Sequence, residues 1–248
     1  MDTETETPVY DLNMDIYYLL REEPFFAGMS RSVNKHASES VPTAGVRITD
    51  DGCGMLRDDA MLAAALRAAR PGDRIVLAPG RYRPIAIDRS GRRGSPITLC
   101  GPRSAIVAGR GVEHGYTVHL DRAAHWRLRG FSVEGGQKGI VLDASDDVVL
   151  RGLRVGDTGD EAVHLRTGSS DVRVIGTTIR RTGLRMPAFG EGIYVGSAAS
   201  NWCAFGGCGP DRSDGAVLLR NDIAGTTAEA IDVKEGTTGC VIRGNRLA

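Results

Sequence analysis

The sequence lacks the features that mark several common protein classes. It has no apolar run of about 18 residues, so no segment is predicted to span a membrane. Lysine plus arginine (31) equals aspartate plus glutamate (31), and this balance argues against a nucleic-acid-binding protein that relies on overall charge. The acidic first residues are not followed by an apolar segment, so no signal peptide is visible in this chain.

Cysteines are few, and their number is odd. None of the five has the spacing, with a second cysteine pair or with histidines, that a zinc site requires. Cys203 and Cys208 lie five residues apart in a glycine-rich segment. The sequence leaves both a local disulfide and two free thiols open for this pair.

Glycine, by contrast, is abundant, with 33 residues in 248, whereas aromatic residues make up only 5%. The glycine content is roughly twice the usual share. No Gly-X-Y period is present, which excludes a collagen-like chain. This composition predicts many turns between short strands.

Two families of short apolar segments repeat along the chain. Members of the first share an aliphatic residue at one position, with steps of 22, 24, 44 and 24 residues: Leu128, Leu150, Val174, Leu218 and Ile242. Members of the second alternate with them: Ile140, Val163, Ile193 and Ile231. The step of 44 residues must contain either one extra repeat or a large loop.

Strands at a period of 22–24 residues leave no room for helices between them. Each coil is therefore predicted to run strand, turn, strand, turn, and stacked coils form a parallel β-helix with a continuous core. Alternation along the second family predicts which side chains point into that core. They are Ile140, Leu142, Val163, Leu165, Ile193, Val195, Ile231 and Val233.

The β-helix is predicted to begin near residue 74, after an alanine- and leucine-rich helix over residues 59–69. Such a helix would cover the open strand edge of the first coil. Residues 1–57 do not fit the repeat and are predicted to be a leader, partly disordered or with a short helix. The predicted β-helix domain covers residues 58–248. Because the sequence stops inside a repeat, we expect this domain to be truncated at its C-terminus.

Residues 62–82, together with the motifs GDEAVHLR (159–166), EGIYVGS (191–197) and EAIDVKEGTTG (229–239), resemble pectate-lyase-like right-handed β-helix proteins. The resemblance extends over about residues 58–248. It implies an all-β, right-handed parallel β-helix with a short N-terminal capping helix, and an extracellular, carbohydrate-active protein. This superfamily includes lyases, hydrolases, epimerases and adhesins, so the fold does not specify the activity.

Polar residues concentrate on the outward positions of the second strand family. At equivalent outward positions, side chains of stacked coils lie about 4.8 Å apart. Three adjacent rows result. The first, at the turn before the strands, is Lys138, Glu161, Glu191 and Glu229; the second is Val141, His164, Tyr194 and Asp232; the third is Asp143, Arg166, Gly196 and Lys234. The alternative interpretation is an ordinary solvated face on which the lysines and arginine form ion pairs with the carboxylates.

This stripe contains the groups that β-elimination of a uronate requires. Glu191, Glu229 and Asp232 are candidate ligands for Ca²⁺, which would neutralise the substrate carboxylate. Lys234 or Arg166 could then act as the base.

His164 and Tyr194 offer a metal-free base and acid. Lys138, Glu161 and Trp202 are predicted to bind substrate, the last by stacking on a sugar ring. Trp202 belongs to a long loop, residues 197–214, and a second insertion covers residues 183–190. Long loops on a rigid scaffold are where binding residues concentrate.

The function predicted is therefore a polysaccharide lyase acting on an acidic, uronate-containing polysaccharide. A glycoside hydrolase on the same fold and a non-catalytic glycan-binding or surface protein remain alternatives. The hydrolase would need paired carboxylates at a fixed separation. The sequence leaves the polysaccharide and the oligomeric state open.

Overall fold

The computed structural model describes residues 55–205 and 207–248. The predicted leader lies outside these ranges except for its last three residues. Nearly all described elements are short β-strands, and every pairing between named strands is parallel. Within the described ranges, no helix has both the length and the apolar character needed to cross a membrane.

In the part of the chain that the structure describes, twenty strands form three parallel sheets. The first sheet contains β1 (Arg74–Val76), β4 (Ile97–Cys100), β7 (Trp126–Arg129), β10 (Val149–Arg151), β13 (Arg173–Ile175), β16 (Val217–Leu219) and β19 (Val241–Arg243). The second contains β2 (Gly80–Tyr82), β5 (Ala105–Ala108), β8 (Ser132–Glu134), β11 (Arg154–Gly156), β14 (Thr178–Arg180), β17 (Asp222–Ala224) and β20 (Arg246–Leu247). The third contains β3 (Ile85–Ile87), β6 (Tyr116–Asp121), β9 (Lys138–Asp143), β12 (Val163–Arg166), β15 (Ile193–Val195) and β18 (Ile231–Val233). Each complete coil contributes one strand to each sheet, so the predicted parallel β-helix is confirmed.

The predicted coil of two strands was wrong in one respect, because each coil has three. Each member of the first repeat family consists of two strands separated by a sharp bend, as between β7 and β8. Gly130 occupies this bend with φ of +84°, a left-handed conformation that glycine adopts without steric cost. An added Cβ there would also lie 2.6 Å from the carbonyl oxygen of Gly101 in the preceding coil.

The registers follow the sequence repeats. Leu150 pairs with Leu128 on one side and Val174 on the other, and all three are fully buried. β13 pairs directly with β16, so the step of 44 residues is a single coil with a large loop. The eight predicted inward residues of the third sheet all join the core, although Ile231 and Val233 in the last strand are only partly buried.

One helix begins the described domain. Helix α1 (Asp59–Ala68) begins after Asp58, whose Oδ1 accepts a hydrogen bond from the Met61 amide at 2.8 Å. Leu62 and Leu66 from this helix join the core cluster of the first coils. The predicted capping helix is therefore confirmed, and its apolar face is buried on the β-helix core.

The two insertions into the third sheet carry short helical turns. One 3₁₀ turn covers Pro187–Phe189, ahead of β15. After β15, a 3₁₀ turn (Ala199–Asn201) leads into helix α2 (Trp202–Phe205).

The in-register core predicts a large penalty for creating a cavity in its middle. We expect Leu150→Ala to lower the free energy of unfolding by about 2–5 kcal/mol, because both stacked neighbours lose contacts. Arg154→Ala, at an exposed position of β11, should change it by no more than about 0.5 kcal/mol. Urea denaturation followed by circular dichroism checks both values, and equal effects would contradict the assigned register.

Candidate functional site

The outward face of the third sheet forms the floor of the candidate site. The parallel pairing places His119, Val141, His164, Tyr194 and Asp232 in one row, in order from β6 to β18. The row of Val141, His164, Tyr194 and Asp232 predicted from the sequence is thus confirmed. It extends one coil further toward the N-terminus than the sequence analysis recognised.

Three carboxylates converge at the N-terminal edge of β15 and β18. One oxygen each from Glu191, Glu229 and Asp232 lies within 4.8 Å of the others. Glu191 is buried, and its Oε2 has no hydrogen-bond partner among the described residues. Burial, with the nearby charges of Glu161, Asp232 and Glu229, raises the pKa of Glu191 to about 7. Such a cluster of hard oxygen donors, one of them unsatisfied, fits a divalent cation such as Ca²⁺.

Tyr194 and Lys234 lie beside these carboxylates. The Lys234 Nζ is 2.7 Å from Asp232 Oδ2 and 5.2 Å from the centroid of the Tyr194 ring. The hydrogen bond to Asp232 raises the pKa of Lys234. Burial raises the pKa of Tyr194 to about 12. The floor therefore presents a phenol and an ammonium group, both protonated at neutral pH.

Lys138 and Glu161 pair with each other rather than facing solvent. The Lys138 ammonium donates to both oxygens of the Glu161 carboxylate, and both side chains are largely buried. Burial alone would raise the pKa of Glu161, but its pairing with the Lys138 ammonium keeps that pKa below the ordinary carboxyl value. This pair was predicted to contact substrate, and its burial leaves little of either group accessible to one.

His164 lies behind Tyr194, against Glu161. Its Nδ1 is 3.4 Å from Glu161 Oε1, and its Nε2 is 3.0 Å from the carbonyl oxygen of Gly196. The ring is buried, and burial lowers its pKa. Because the ring is covered, it has no direct path to a bound polymer.

Arg166 belongs to a second ionic network on the floor. Its Nε and one terminal nitrogen donate to the two oxygens of Asp143 at 2.6 and 3.0 Å. It also donates to the Tyr116 hydroxyl at 2.9 Å, and His119 Nε2 contacts Asp143 at 2.8 Å. Burial alone would lower the pKa of Arg166, but the bonds with Asp143 and Tyr116 raise it. Arg166 is therefore held as a cation, which does not suit a base.

A groove of about 950 Å³ lies beside this second network. Its lining includes His119, Asp143 and Arg166 from the floor, together with Trp202 and Arg212 from the long loop. Tyr194 and Lys234 do not line this groove. They occupy the next two coils of the same floor, so the groove adjoins them.

The long loop is fastened to the β-helix through Asp211. This buried carboxylate accepts hydrogen bonds from the amides of Thr167 and Gly168, both at 2.9 Å, and from the hydroxyl of Ser197 at 2.7 Å. Its own carbonyl accepts from Thr237 Oγ1 at 3.2 Å, in the turn after Lys234. The loop is thereby tied to three successive coils of the floor.

A disulfide joins Cys203 to Cys208 inside this loop, with Cα atoms 4.1 Å apart. Of the two arrangements left open by the sequence, the structure has the bridge. Trp202, the predicted sugar-stacking residue, donates from its Nε1 to the Ser197 carbonyl at 2.9 Å and lines the groove.

The insertion at residues 183–190 is anchored at the opposite edge of the floor. Arg185 makes two hydrogen bonds to Asp160, at 3.0 and 2.7 Å. The exposed apolar side chains of this insertion are Leu184, Met186 and Phe189. The two insertions therefore flank the floor on either side of β15.

The structure divides the predicted site residues into three groups. Glu191, Glu229, Asp232, Tyr194 and Lys234 are brought together. Lys138, Glu161 and His164 form a buried group behind them, whereas Arg166 and Trp202 belong to the adjoining groove.

Sequence reasoning missed Tyr116 and His119 on β6. The signal was present, because Tyr116–Asp121 (YTVHLD) has the alternation of Lys138–Asp143 (KGIVLD), 22 residues before it. Asp143 was recognised as outward-facing but not as a partner of Arg166. Asp211 gave no signal, since its role depends on loop closure.

Comparison with solved structures identifies proteins of the same fold. An alginate lyase from Paenibacillus sp. str. FPU-7 is 35% identical, with a TM-score of 0.73 over 78% of this chain and 66% of that chain. This chain therefore spans about two thirds of the length of that enzyme. Neither a protein-family model nor a curated protein sequence matches the chain.

Two more distant structures share the fold. Pectate lyase Pel9A is 16% identical, with a TM-score of 0.56 over 68% of this chain and 44% of that one. A rhamnogalacturonan lyase is 15% identical, with a TM-score of 0.53 over 72% and 51% of the two chains. These similarities confirm the predicted right-handed parallel β-helix and the predicted resemblance to pectate-lyase-like proteins.

The Asp143 network predicts a pH-dependent contribution to stability. Burial alone would raise the pKa of Asp143, but hydrogen bonds from His119 and Arg166 lower it below 3.8. Its stabilisation is therefore complete above the ordinary carboxyl pKa and is lost as the pH falls through the lowered one. We expect Asp143→Asn to cost about 2–3 kcal/mol at pH 7, and this difference from the parent should shrink below about pH 4.

Urea denaturation at a series of pH values measures this difference. Asp88→Asn, at an exposed position, is the matched control and should leave stability unchanged at every pH. A penalty for Asp143→Asn that persists undiminished at low pH would contradict the ionic explanation.

Proposed function

We propose that this chain, which belongs to the pectate-lyase-like right-handed parallel β-helix proteins, is a polysaccharide lyase that cleaves a uronate-containing polysaccharide by β-elimination. The observation that carries this proposal is the placement of Tyr194 and Lys234 beside three converging carboxylates on the floor of a loop-lined face. The 35% identity to an alginate lyase supports the same reaction class, because alginate is a polymer of uronates.

The first requirement of the reaction is neutralisation of the substrate carboxylate. A Ca²⁺ ion held by Glu191, Glu229 and Asp232 would supply this charge and so acidify the proton on C5 of the uronate. The unsatisfied, buried Oε2 of Glu191 supports a cation at this position. Arg166 lies on the floor two coils before Asp232, but its pairing with Asp143 compensates its charge, so the cation site would supply the main attraction for the substrate carboxylate.

Two proton transfers complete the elimination. A base takes the proton from C5, the C4–C5 double bond forms, and the C4–O bond breaks with its electron pair passing to the leaving oxygen. An acid then protonates that oxygen. Tyr194 keeps its proton at neutral pH because its pKa is raised, and we assign it as the acid.

Lys234 is the base in this assignment. Its amine is the other proton carrier beside the carboxylates, and its side chain is partly exposed on the floor. Pairing with Asp232 raises its pKa, so the role requires that Asp232 turns to a bound cation, whose charge would then favour the neutral amine of Lys234. Arg166 is less suited, since Asp143 holds its guanidinium as a cation.

The polymer is proposed to extend along the floor from Lys234 into the adjoining groove. Trp202 presents an indole at the groove wall, where it would stack on a sugar ring. We further propose that the domain works outside the cytoplasm. The disulfide between Cys203 and Cys208 supports this, because disulfides persist in oxidising compartments.

The activity is tested with a panel of alginate, pectate and glycosaminoglycans, read by the ultraviolet absorbance of the unsaturated product. We expect absorbance to rise with at least one of them. New reducing ends without an unsaturated product would instead indicate a glycoside hydrolase. Binding without any bond cleavage would indicate a glycan-binding protein.

The assigned proton carriers are tested on the substrate that is turned over. Tyr194→Phe and Lys234→Gln should each lower kcat by about 100-fold or more, because each removes one proton transfer. Arg154→Ala, on a different sheet, is the control and should retain the parent's kcat. Full activity in either floor variant would remove that residue from the mechanism.

The cation site is tested by binding and by activity. Isothermal titration should detect one Ca²⁺ per chain, and Glu191→Gln should weaken this binding by at least about 10-fold, an effect of the size expected for losing one charged ligand. Glu113→Gln, at an exposed position, should bind Ca²⁺ as the parent does. Turnover that survives chelation unchanged would favour the metal-free reaction.

A further inference from the structure

Behind the assigned acid lies a buried polar group that the proposed chemistry does not use. Lys138, Glu161 and His164 have side chains that are 14%, 5% and 5% exposed. Burying an ion costs several kcal/mol unless its partner is well placed. An apolar trio at these positions would extend the core without that cost, so the polar group requires another explanation.

The hydrogen bonds of His164 define its protonation. Its Nε2 faces the carbonyl oxygen of Gly196 at 3.0 Å, and a carbonyl can only accept, so Nε2 carries the proton. The Nδ1 atom has no hydrogen-bond partner among the described residues, although Glu161 Oε1 lies 3.4 Å away. The ring is thus a neutral donor pointing in one direction, toward Gly196.

Gly196 is the point at which the chain leaves the floor. It follows β15 directly, adopts φ of +83°, and its amide donates to the Leu165 carbonyl at 2.7 Å. An added Cβ would clash with Thr237 Oγ1, so only glycine fits. The next residue, Ser197, begins the long loop and donates to Asp211.

The His164 ring also contacts Tyr194 itself. The two rings meet edge to face at 83°, with centroids 4.5 Å apart. His164 therefore contacts the side chain of Tyr194 and, two residues later, the backbone that starts the loop. Any rotation of the imidazole would disturb both.

We propose that His164, packed against the buried Lys138–Glu161 pair, is a positioning residue that sets the Tyr194 side chain and the first turn of the substrate loop. It does not exchange a proton with the substrate. This inference rests on the proposed function in so far as Tyr194 is the acid. Its structural half, the anchoring of the loop through the Gly196 carbonyl, does not depend on activity.

Two matched substitutions separate the hydrogen bond from the bulk of the ring. Glutamine can place an N–H donor near the position of Nε2, whereas the shorter asparagine cannot reach Gly196. We expect His164→Asn to lower kcat at least 10-fold, because Tyr194 loses its position, and also to raise KM, because the loop that carries Trp202 loses its anchor. His164→Gln should recover most of that loss.

A double-mutant cycle then identifies the target of His164. In the Tyr194→Phe background, His164→Asn should cause almost no further loss of kcat, because the hydroxyl it positions is already absent. A loss of the same size in both backgrounds would overturn the proposal. So would equal losses for His164→Asn and His164→Gln, or full activity of His164→Asn.

Two measurements decide the structural half without any substrate. Nitrogen NMR of the parent should show a neutral imidazole protonated at Nε2, and the Nδ1 tautomer would overturn the proposal even if the variants failed to fold.

The second measurement is tryptophan fluorescence. The chain has two tryptophans, of which Trp126 is fully buried, so a change in fluorescence reports on Trp202. His164→Asn should alter this emission and His164→Gln should not. If the parent turns over no polysaccharide, the proposed function fails, whereas unchanged emission in His164→Asn rejects the loop anchor.

Discussion

The in-register stacking of parallel coils is the constraint on which the rest of this structure depends. Every residue on a strand has a partner at the same position one coil away, at about 4.8 Å. For apolar residues this repetition is favourable, since like side chains interlock along the core. For ionised residues it is costly, because like charges are forced together. The outward rows therefore show how each charge is compensated.

Two of the charged rows are compensated by direct pairing. Asp143 and Arg166 are register partners on β9 and β12, and each holds the other in its ionised state. Lys138 and Glu161 form a second ion pair at the start of β9 and just before β12. Such pairs leave little uncompensated charge. They stabilise the stack and orient neighbouring groups.

The last two coils of the third sheet depart from this rule. Glu191, Glu229 and Asp232 face one another, and Lys234 pairs with Asp232. This carboxylate cluster supports the cation site proposed above. The two insertions flank β15, which follows Glu191 directly, so loop-borne binding residues and the charged floor adjoin at one place.

Much of this molecule was determined by the sequence alone. Repeats of 22–24 residues predict the β-helix, its core and the order of the floor residues, because stacking converts sequence spacing directly into spatial position. The same logic gave the convergence of Glu191, Glu229 and Asp232. The third strand of each coil was missed, because the bend at Gly130 divides what the sequence presents as one apolar segment.

Only the tertiary structure decided which charged neighbours pair, and which side chains stay accessible. His164 and Tyr194 occupy equivalent positions in the repeat and both are buried, yet His164 lies beside Glu161 whereas Tyr194 lies beside Lys234. The anchoring of the loop by Asp211, from 43 and 44 residues away, likewise has no periodic signal. Periodicity specifies the row that a side chain occupies. Its rotamer, its burial and its partner depend on loops and neighbouring coils, whose positions exist only in the folded chain.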